Sequence, residues 1–232
     1  MVTTLAELRE HLADPLAQLP SPVKREYRRG QIIYGCHEPS TSIYLLVAGK
    51  VKLSRVTDDG RRVVVDIYQT GELFGESAFL NSSRCEEEAI ALENTKVLTW
   101  TAAEVADFAE QRPRVGLSLM QILAQRTIEL GDRIESFSAD NTARRLARTL
   151  IRLSERLGRV TEDGGIRMMP LTHELLSQYV GTSREIVTHC MNQFRREHCV
   201  NYSRKDGILV YRDALKEWLQ HSPDPETASH AT

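Results

Sequence analysis

The segment from Leu171 to Arg196, LTHELLSQYVGTSREIVTHCMNQFRR, constrains this chain most, because it reads as two short amphipathic helices joined by a tight turn. Leu175, Leu176 and Tyr179 recur at helical spacing in the first helix, and Gly181 follows as a residue able to take positive φ and end it. Thr182 then opens a second helix with Glu185 three residues on, a capping-box pattern, while Ile186, Val187, Cys190, Met191 and Phe194 supply a buried stripe. Arg184, Glu185, Thr188, His189, Gln193 and Arg196 are left pointing outward. Such a face suits the major groove: Arg bonds guanine bidentately, Glu accepts from cytosine, and Gln or neutral His offers both donor and acceptor. A merely solvated polar face is the alternative, and the flanking segments decide against it.

Downstream, VNYSRKDGILVYR at 200–212 holds two alternating apolar runs around Lys205-Asp206-Gly207, a hairpin signal and a candidate wing. Upstream, ARRLARTLIRLSERL at 143–157 is an amphipathic helix, followed by a turn at Gly164-Gly165 and a short strand at Ile166 to Pro170. Together these predict a winged helix-turn-helix with Thr172, Ser183, Arg204 and Lys205 added to the DNA-contacting set. Charge agrees: residues 141–212 hold 13 Lys or Arg against 7 Asp or Glu, whereas the whole chain has a net charge of −2. The positive charge is gathered where phosphates would be met.

No run of about 18 apolar residues is present to cross a membrane. The start, MVTTLAELREHLADPLAQLP, puts Leu5, Leu8, Leu12 and Leu16 on one helical face among acidic residues, unlike a signal peptide. A cytoplasmic protein without membrane contact is expected. Cys36, Cys85, Cys190 and Cys199 show no CxxC spacing and read as thiols filling space, and the Cys36-His37 pair alone is too few ligands for a metal site.

From Tyr27 to Thr101 the pattern changes to short strands: Gln31–Tyr34, Ser42–Val47, Val51–Val56, Val63–Tyr68, Ala89–Leu92 and Lys96–Thr101, with turns at Gly49 and Asp58-Asp59-Gly60. An antiparallel barrel or jelly roll able to hold a small ligand is predicted. A long helix from Pro113 to Ser138 follows, in which Met120, Leu123, Thr127, Leu130, Ile134 and Phe137 alternate three- and four-residue steps. Those are a and d positions of a two-helix seam, and they predict a homodimer. Ser138, Asp140 and Asn141 interrupt the seam and offer a cap and a hinge.

The fold class expected is therefore α+β: an N-terminal helix and antiparallel β-roll over 1–112, a dimerisation helix and hinge over 113–138, a winged helix-turn-helix over 139–220, and a polar disordered tail at 221–232. In this order, with EPSTSIYLLVAGKVKL at 38–53, GELFGESAFL at 71–80 and GTSREIVTHCMNQFRREHCV at 181–200, the chain resembles the cyclic-AMP receptor protein and fumarate–nitrate regulator family of bacterial transcription factors. The resemblance implies a dimeric regulator whose barrel, like a cyclic-nucleotide-binding domain, senses an effector. It also implies recognition helices that read a roughly palindromic operator in double-stranded DNA, with RNA polymerase as the protein partner.

Carried over residue by residue, the receptor-type Arg-Glu pair is matched by Arg184 and Glu185, but His189 stands where a second Arg is the rule, so the inner half-site sequence does not transfer. The barrel departs further. Gly75 and Glu76 match the ribose-binding turn, although a β-turn with a solvated acid explains them equally well. The Arg-Ser pair that holds the phosphate is replaced by Glu86, Glu87 and Glu88 within NSSRCEEEAIA, leaving Arg84 as the only nearby substitute, and the adenine-contacting pair of the long helix becomes Leu130 and Gly131. Cyclic AMP is not expected to bind, and no other cofactor is implied. The first 35 residues contain no cysteine for an iron–sulfur cluster. No P-loop, GxSxG or HExxH motif suggests an enzyme, so no catalytic residues are assigned. The competing reading is an effector-binding regulatory subunit that acts through a protein partner; it would share the barrel but lack the basic winged segment.

Overall fold

The computed structural model describes residues 22–35, 41–80, 87–203 and 205–222. The chain divides into two compact units, one ending at Ile128 and the other beginning at Glu129. The N-terminal leucine stripe, Cys36, His37, Arg84, Cys85, Glu86, Arg204 and the tail from 223 onward lie outside the described residues.

In the N-terminal unit, strands β1 (Val23–Tyr27), β8 (Thr95–Thr101), β3 (Ser42–Ala48) and β6 (Leu73–Phe74) form one antiparallel sheet in that order. A second has the order β2 (Ile32–Tyr34), β7 (Glu87–Ala91), β4 (Lys50–Val56), β5 (Arg62–Gln69). Strand β3 is buried on both faces, which is why YLLV reads as a continuous apolar run rather than an alternation. Its Tyr44 and Leu46 enter the cluster with Val51, Leu53, Tyr68, Phe74, Ala89 and Val97 of the roll interior. Its Ile43 and Leu45 pack instead with Trp100, Val105, Phe108 and Val115 of the helical side. Three tyrosines ring Phe74, with centroid separations of 5.0 Å to Tyr44, 5.4 Å to Tyr68 and 6.3 Å to Tyr34. Large stacked rings thus fill the middle of the roll.

Two strands were not anticipated. Strand β1 is exposed along nearly its whole length and carries Lys24, Arg25 and Glu26, so it shows no apolar alternation, and β6 has two residues, too few to show a period. Strand β7 begins earlier than expected because Glu87 and Glu88 pair in register with Arg55 and Ser54 of β4. Helix α1 (Ala102–Gln111) was also unanticipated; Thr101 accepts from the Glu104 amide at 3.1 Å, and Glu104 accepts from the Thr101 amide at 2.7 Å, a complete capping box.

Helix α2 (Pro113–Ala139) begins in this unit. Val115 is buried, and Leu119 and Ile122 pack on the same cluster, so one stripe of the helix is spent on its own β-roll. The a/d stripe is a different face.

In the C-terminal unit, α3 (Thr142–Leu157) starts at Asn141, whose side chain accepts from the Arg144 amide at 3.0 Å, and buries Leu146, Leu150 and Leu153 completely. Just ahead of it Asp140 accepts from Ser136 at 2.6 Å and pairs with Arg148 at 2.8 Å and Arg144 at 3.3 Å. Burial alone would raise the Asp140 pKa, but the Ser136 hydroxyl and the two guanidinium groups outweigh it and hold the carboxyl below its ordinary value. Strands β9 (Arg159–Val160), β10 (Ile166–Met168), β11 (Val200–Ser203) and β12 (Gly207–Val210) make a sheet of order β11-β12-β10-β9. Helices α4 (His173–Val180) and α5 (Arg184–Arg196) lie between its hairpins in sequence, and α6 (Arg212–His221) closes the unit with Trp218 edge-on to Phe194 at 4.9 Å.

Candidate DNA-reading surface and effector pocket

Helix α4 is capped by Thr172, whose hydroxyl accepts from the Leu175 amide at 3.1 Å, and ends at Gly181 with φ of 72°. The amides of Gly181 and Thr182 both donate to the Ser177 carbonyl, at 2.9 and 3.1 Å. Thr182 therefore still belongs to the turn that closes α4. The expectation that it caps the next helix is corrected: Ser183 does so, accepting from the Ile186 amide at 3.3 Å, and no capping box forms. A glycine is needed at 181 twice over, since a Cβ there would also lie 2.8 Å from the Phe137 ring.

Helix α5 buries Val187, Cys190, Met191 and Phe194, as expected. Ile186 does not join them. It is 45% exposed, because it lies about a quarter turn around the axis from the centre of the stripe and in the first helical turn. Arg184, Glu185, His189 and Arg196 are exposed, while Gln193 is half-buried and its amide donates to Glu197 at 3.1 Å. The carboxyl of Glu185 is held below its ordinary pKa by its own amide and the Ser183 hydroxyl. Thr188 is a second correction. It is half-buried, its hydroxyl donating to the Arg184 carbonyl at 2.8 Å and lying 2.8 Å from His173 Nδ1, so it is not simply presented outward.

The wing forms as predicted, with Ser203 opposite Gly207 and Lys205 exposed at the tip. The Ser203 hydroxyl ties the turn, donating to Asp206 Oδ2 and accepting from the Asp206 amide, each at 2.8 Å. Strand β11 sends Tyr202 back to the helices. Its hydroxyl donates to Asn192 Oδ1 at 3.0 Å, the Arg195 guanidinium sits 5.1 Å over its ring, and the His173 ring meets it edge-on at 5.5 Å. Burial, and then the charge of Arg184, push the His173 pKa below its ordinary value, so this ring is neutral at neutral pH.

The sequence reading missed His173, Asn192 and Tyr202. Two signals were there: Asn192 is seven residues beyond Glu185, on the same helical face, and Tyr202 is in phase with the buried Val200.

On α2, Met120 and Ile134 are each 66% exposed, Leu123 and Leu130 are exposed at 43% and 46%, and Thr127 is exposed, which leaves the a/d stripe on the surface of the single chain. Phe137 differs, because its ring also lies 4.8 Å from the Arg145 guanidinium in its own unit.

In the β-roll, Gly75 has φ of 90°, and a Cβ there would lie 2.6 Å from the Ser42 carbonyl and 2.9 Å from Tyr44. Glu76 is not a solvated acid, contrary to the simpler expectation. Its Oε1 is paired with Arg126 Nη1 from α2, and Arg126 Nη2 donates to the Leu73 carbonyl while the guanidinium lies 4.9 Å over Tyr68. Burial opposes the charge of Arg126, but Tyr68 and Glu76 beside it raise its pKa above the ordinary value. Glu76 Oε2 and Ser77 Oγ are buried without a hydrogen-bond partner among the described residues. The acidic run is also less repulsive than expected, since Glu87 pairs with Arg55 at 2.9 Å and Glu88 pairs with Arg62. Leu130 is an exposed residue of the C-terminal unit. Among the described residues no cluster of His, Cys, Asp or Glu could hold a metal, and no helix is long and apolar enough to cross a membrane.

Comparison with known proteins agrees with this geometry. Residues 24–112 match the family model of the cyclic nucleotide-binding domain and residues 144–218 that of the Crp-like helix-turn-helix domain, together most of the chain. A CRP-like cAMP-activated global transcriptional regulator of Mycobacterium tuberculosis is 24% identical over 82% of this chain and 85% of its own. The global nitrogen regulator of Synechocystis is 25% identical over the same shares. Among solved structures, FixK2 of Bradyrhizobium japonicum superposes with a TM-score of 0.73 over 85% of this chain and 96% of its own, at 23% identity. The c-di-GMP-responsive global regulator CLP of Xanthomonas campestris superposes with a TM-score of 0.72 over 87% and 99%, at 17% identity. With a β-roll, a long helix carrying an exposed apolar stripe, and a winged helix-turn-helix in that order, the chain belongs to the cyclic-AMP receptor protein and fumarate–nitrate regulator family of helix-turn-helix transcription regulators.

Proposed function

We propose that this regulator acts as a homodimer in the cytoplasm, binding a pseudo-palindromic operator through α5 and presenting the bound dimer to RNA polymerase. The observation that carries the reading is the exposed face of α5, where Arg184, Glu185 and His189 stand clear of the core next to a wing tied back by Tyr202. Arg184 reads guanine and Glu185 cytosine, while Thr172, Ser183 and Lys205 hold the backbone and Arg196 supports it from the far end of the helix. The exposed seam supplies the two-fold axis, which places the half-sites about one helical turn apart. Nothing favours the regulatory-subunit alternative, which has no use for the winged segment.

Selection of bound fragments followed by footprinting tests this. A two-fold symmetric protected site is expected, and Arg184→Ala should cost about 1–3 kcal/mol on it and relax preference at one base pair of each half-site. Uniform weakening on all sequences would show that α5 does not read bases.

The effector does not come with the fold. Relatives carry names that tie them to cyclic AMP, to nitrogen and to c-di-GMP, and in this chain Glu76 is already held by Arg126 while Arg55 and Arg62 are held by Glu87 and Glu88. A cyclic phosphodiester would have to draw a cation out of one of these pairs or be met by Arg84. Titration calorimetry with cyclic AMP and cyclic GMP is expected to show no micromolar binding, and operator affinity should be unchanged by either. Micromolar binding that raises operator affinity overturns this, and its loss in Arg84→Ala would identify that side chain as the phosphate ligand.

A further inference from the structure

We infer that Asn192 reads a base of the operator, that it presents only hydrogen-bond donors to the major groove and so selects guanine over adenine, and that Tyr202 of the wing sets this choice. The inference rests on α5 entering the major groove.

Glu185, Thr188, His189 and Asn192 lie at steps of three, four and seven residues from the first, which places them on one helical face. Four positions with that spacing are the ones by which a homeodomain recognition helix reads DNA. Asn192 and Gln193 are the two half-buried amides of the third turn, and the Gln193 nitrogen already donates to Glu197 at 3.1 Å, which leaves the Asn192 nitrogen for a base.

Its orientation is fixed from behind. Tyr202 Oη lies 3.0 Å and Arg195 Nη2 lies 3.5 Å from Asn192 Oδ1. Arginine has no acceptor, so the amide oxygen faces it; Tyr202 engages that oxygen with a bond of ordinary length, and Arg195 approaches it at the outer limit of one. The tyrosine ring is itself steadied by the Arg195 guanidinium, 5.1 Å over it, and by the His173 imidazole, which packs edge-to-face with it at 5.5 Å.

The Nδ2 group has no partner among the described residues. A free Asn amide bonds adenine bidentately, using its oxygen for the N6 amino group and its nitrogen for N7. Here the oxygen is spent. Opposite adenine the N6 donors would meet no acceptor, whereas guanine offers O6 and N7, two acceptors for the two Nδ2 hydrogens.

Selection from a library of randomised half-sites, run in parallel for the full-length protein and for Arg184→Ala, Asn192→Ala and Tyr202→Phe, tests this. The unmodified protein should select guanine at a base pair distinct from the one relaxed by Arg184→Ala. Asn192→Ala should lose that preference by about 5- to 100-fold and leave the Arg184 position intact. Tyr202→Phe keeps the ring and removes only the donor; it should move the preference at the same base pair from guanine towards adenine. If Arg184→Ala relaxes its position while Asn192→Ala changes none, or weakens every sequence alike, the inference is wrong and the reading of α5 stands. If no protein selects any sequence, that reading falls and takes this inference with it.

Discussion

Ile134→Asp is expected to convert the protein from dimer to monomer at micromolar concentration and to lower operator affinity by about 10²- to 10⁴-fold. Ile134 is 66% exposed in the single chain, in register with Met120, Thr127 and the rest of the a/d stripe. In a two-fold seam each residue faces the neighbourhood of its own symmetry mate, so one substitution places two carboxylates in an apolar contact. Removing two charges from water without a partner costs several kcal/mol, more than a seam of three heptads can spare. The loss of DNA affinity follows from valency. Two recognition helices on one dimer gain about 10² to 10⁴ over either alone, and a monomer forfeits that gain without losing a single base contact. Sedimentation velocity and operator titration on the same samples measure both. Because Ile134 is largely exposed in the isolated chain, thermal unfolding of the monomer should be nearly unchanged. A persistent dimer, or a monomer with full operator affinity, would refute the seam.

Arg126→Ala is expected to destabilise the N-terminal unit by about 3 kcal/mol, the low end of the range for a buried pair broken from one side, because both side chains keep some exposure. The substitution strips Glu76 Oε1 and the Leu73 carbonyl of their donor together, next to a Glu76 Oε2 that already has no partner among the described residues. Glu76→Gln should cost much less, since a Gln oxygen still accepts from Arg126 and the Leu73 bond is kept. Trp100, buried in the first unit, and Trp218, in the second, allow the units to be followed separately. Urea unfolding in a Trp218→Phe background reports the N-terminal unit alone, which matters because a chain of two units has no single unfolding free energy. A loss below about 1 kcal/mol would mean that the pair is solvated and exposed in practice.

What sequence alone could deliver differs sharply by element. The C-terminal unit was legible because its signals are local: Gly181 ends one helix, Asp206-Gly207 turns one hairpin, and the Leu146, Leu150, Leu153 stripe keeps helical period. Prediction failed where a residue's role is set by a distant neighbour. Thr182 and Ser183 are equally good caps by type, and only the bond from the Thr182 amide to Ser177 decides between them. Glu76 looks like a turn acid until Arg126, fifty residues on, is brought beside it. Even so, Arg126 continues the stripe of Val115, Leu119 and Ile122, and a lone cation ending an apolar stripe calls for a buried acid. The pairing of Glu87 and Glu88 was hidden for the same reason, their partners lying on the neighbouring strands β4 and β5.

The last turns of the long helix do more than end the seam. Arg133 lies 4.4 Å over the Tyr179 ring and donates to the Tyr179 carbonyl at 3.3 Å, Arg145 donates to the Val180 carbonyl at 2.9 Å, and Phe137 sits against both Arg145 and the space a side chain would need at Gly181. These contacts grip the C-terminal end of α4, the element immediately before the recognition helix. In the proposed homodimer the long helix would serve as a ruler: the distance between the two α5 helices would be measured from the seam through these side chains at each end. The number of base pairs between half-sites would then be a mechanical property of the protein, tolerant of change only as far as the grip on Gly181 can stretch.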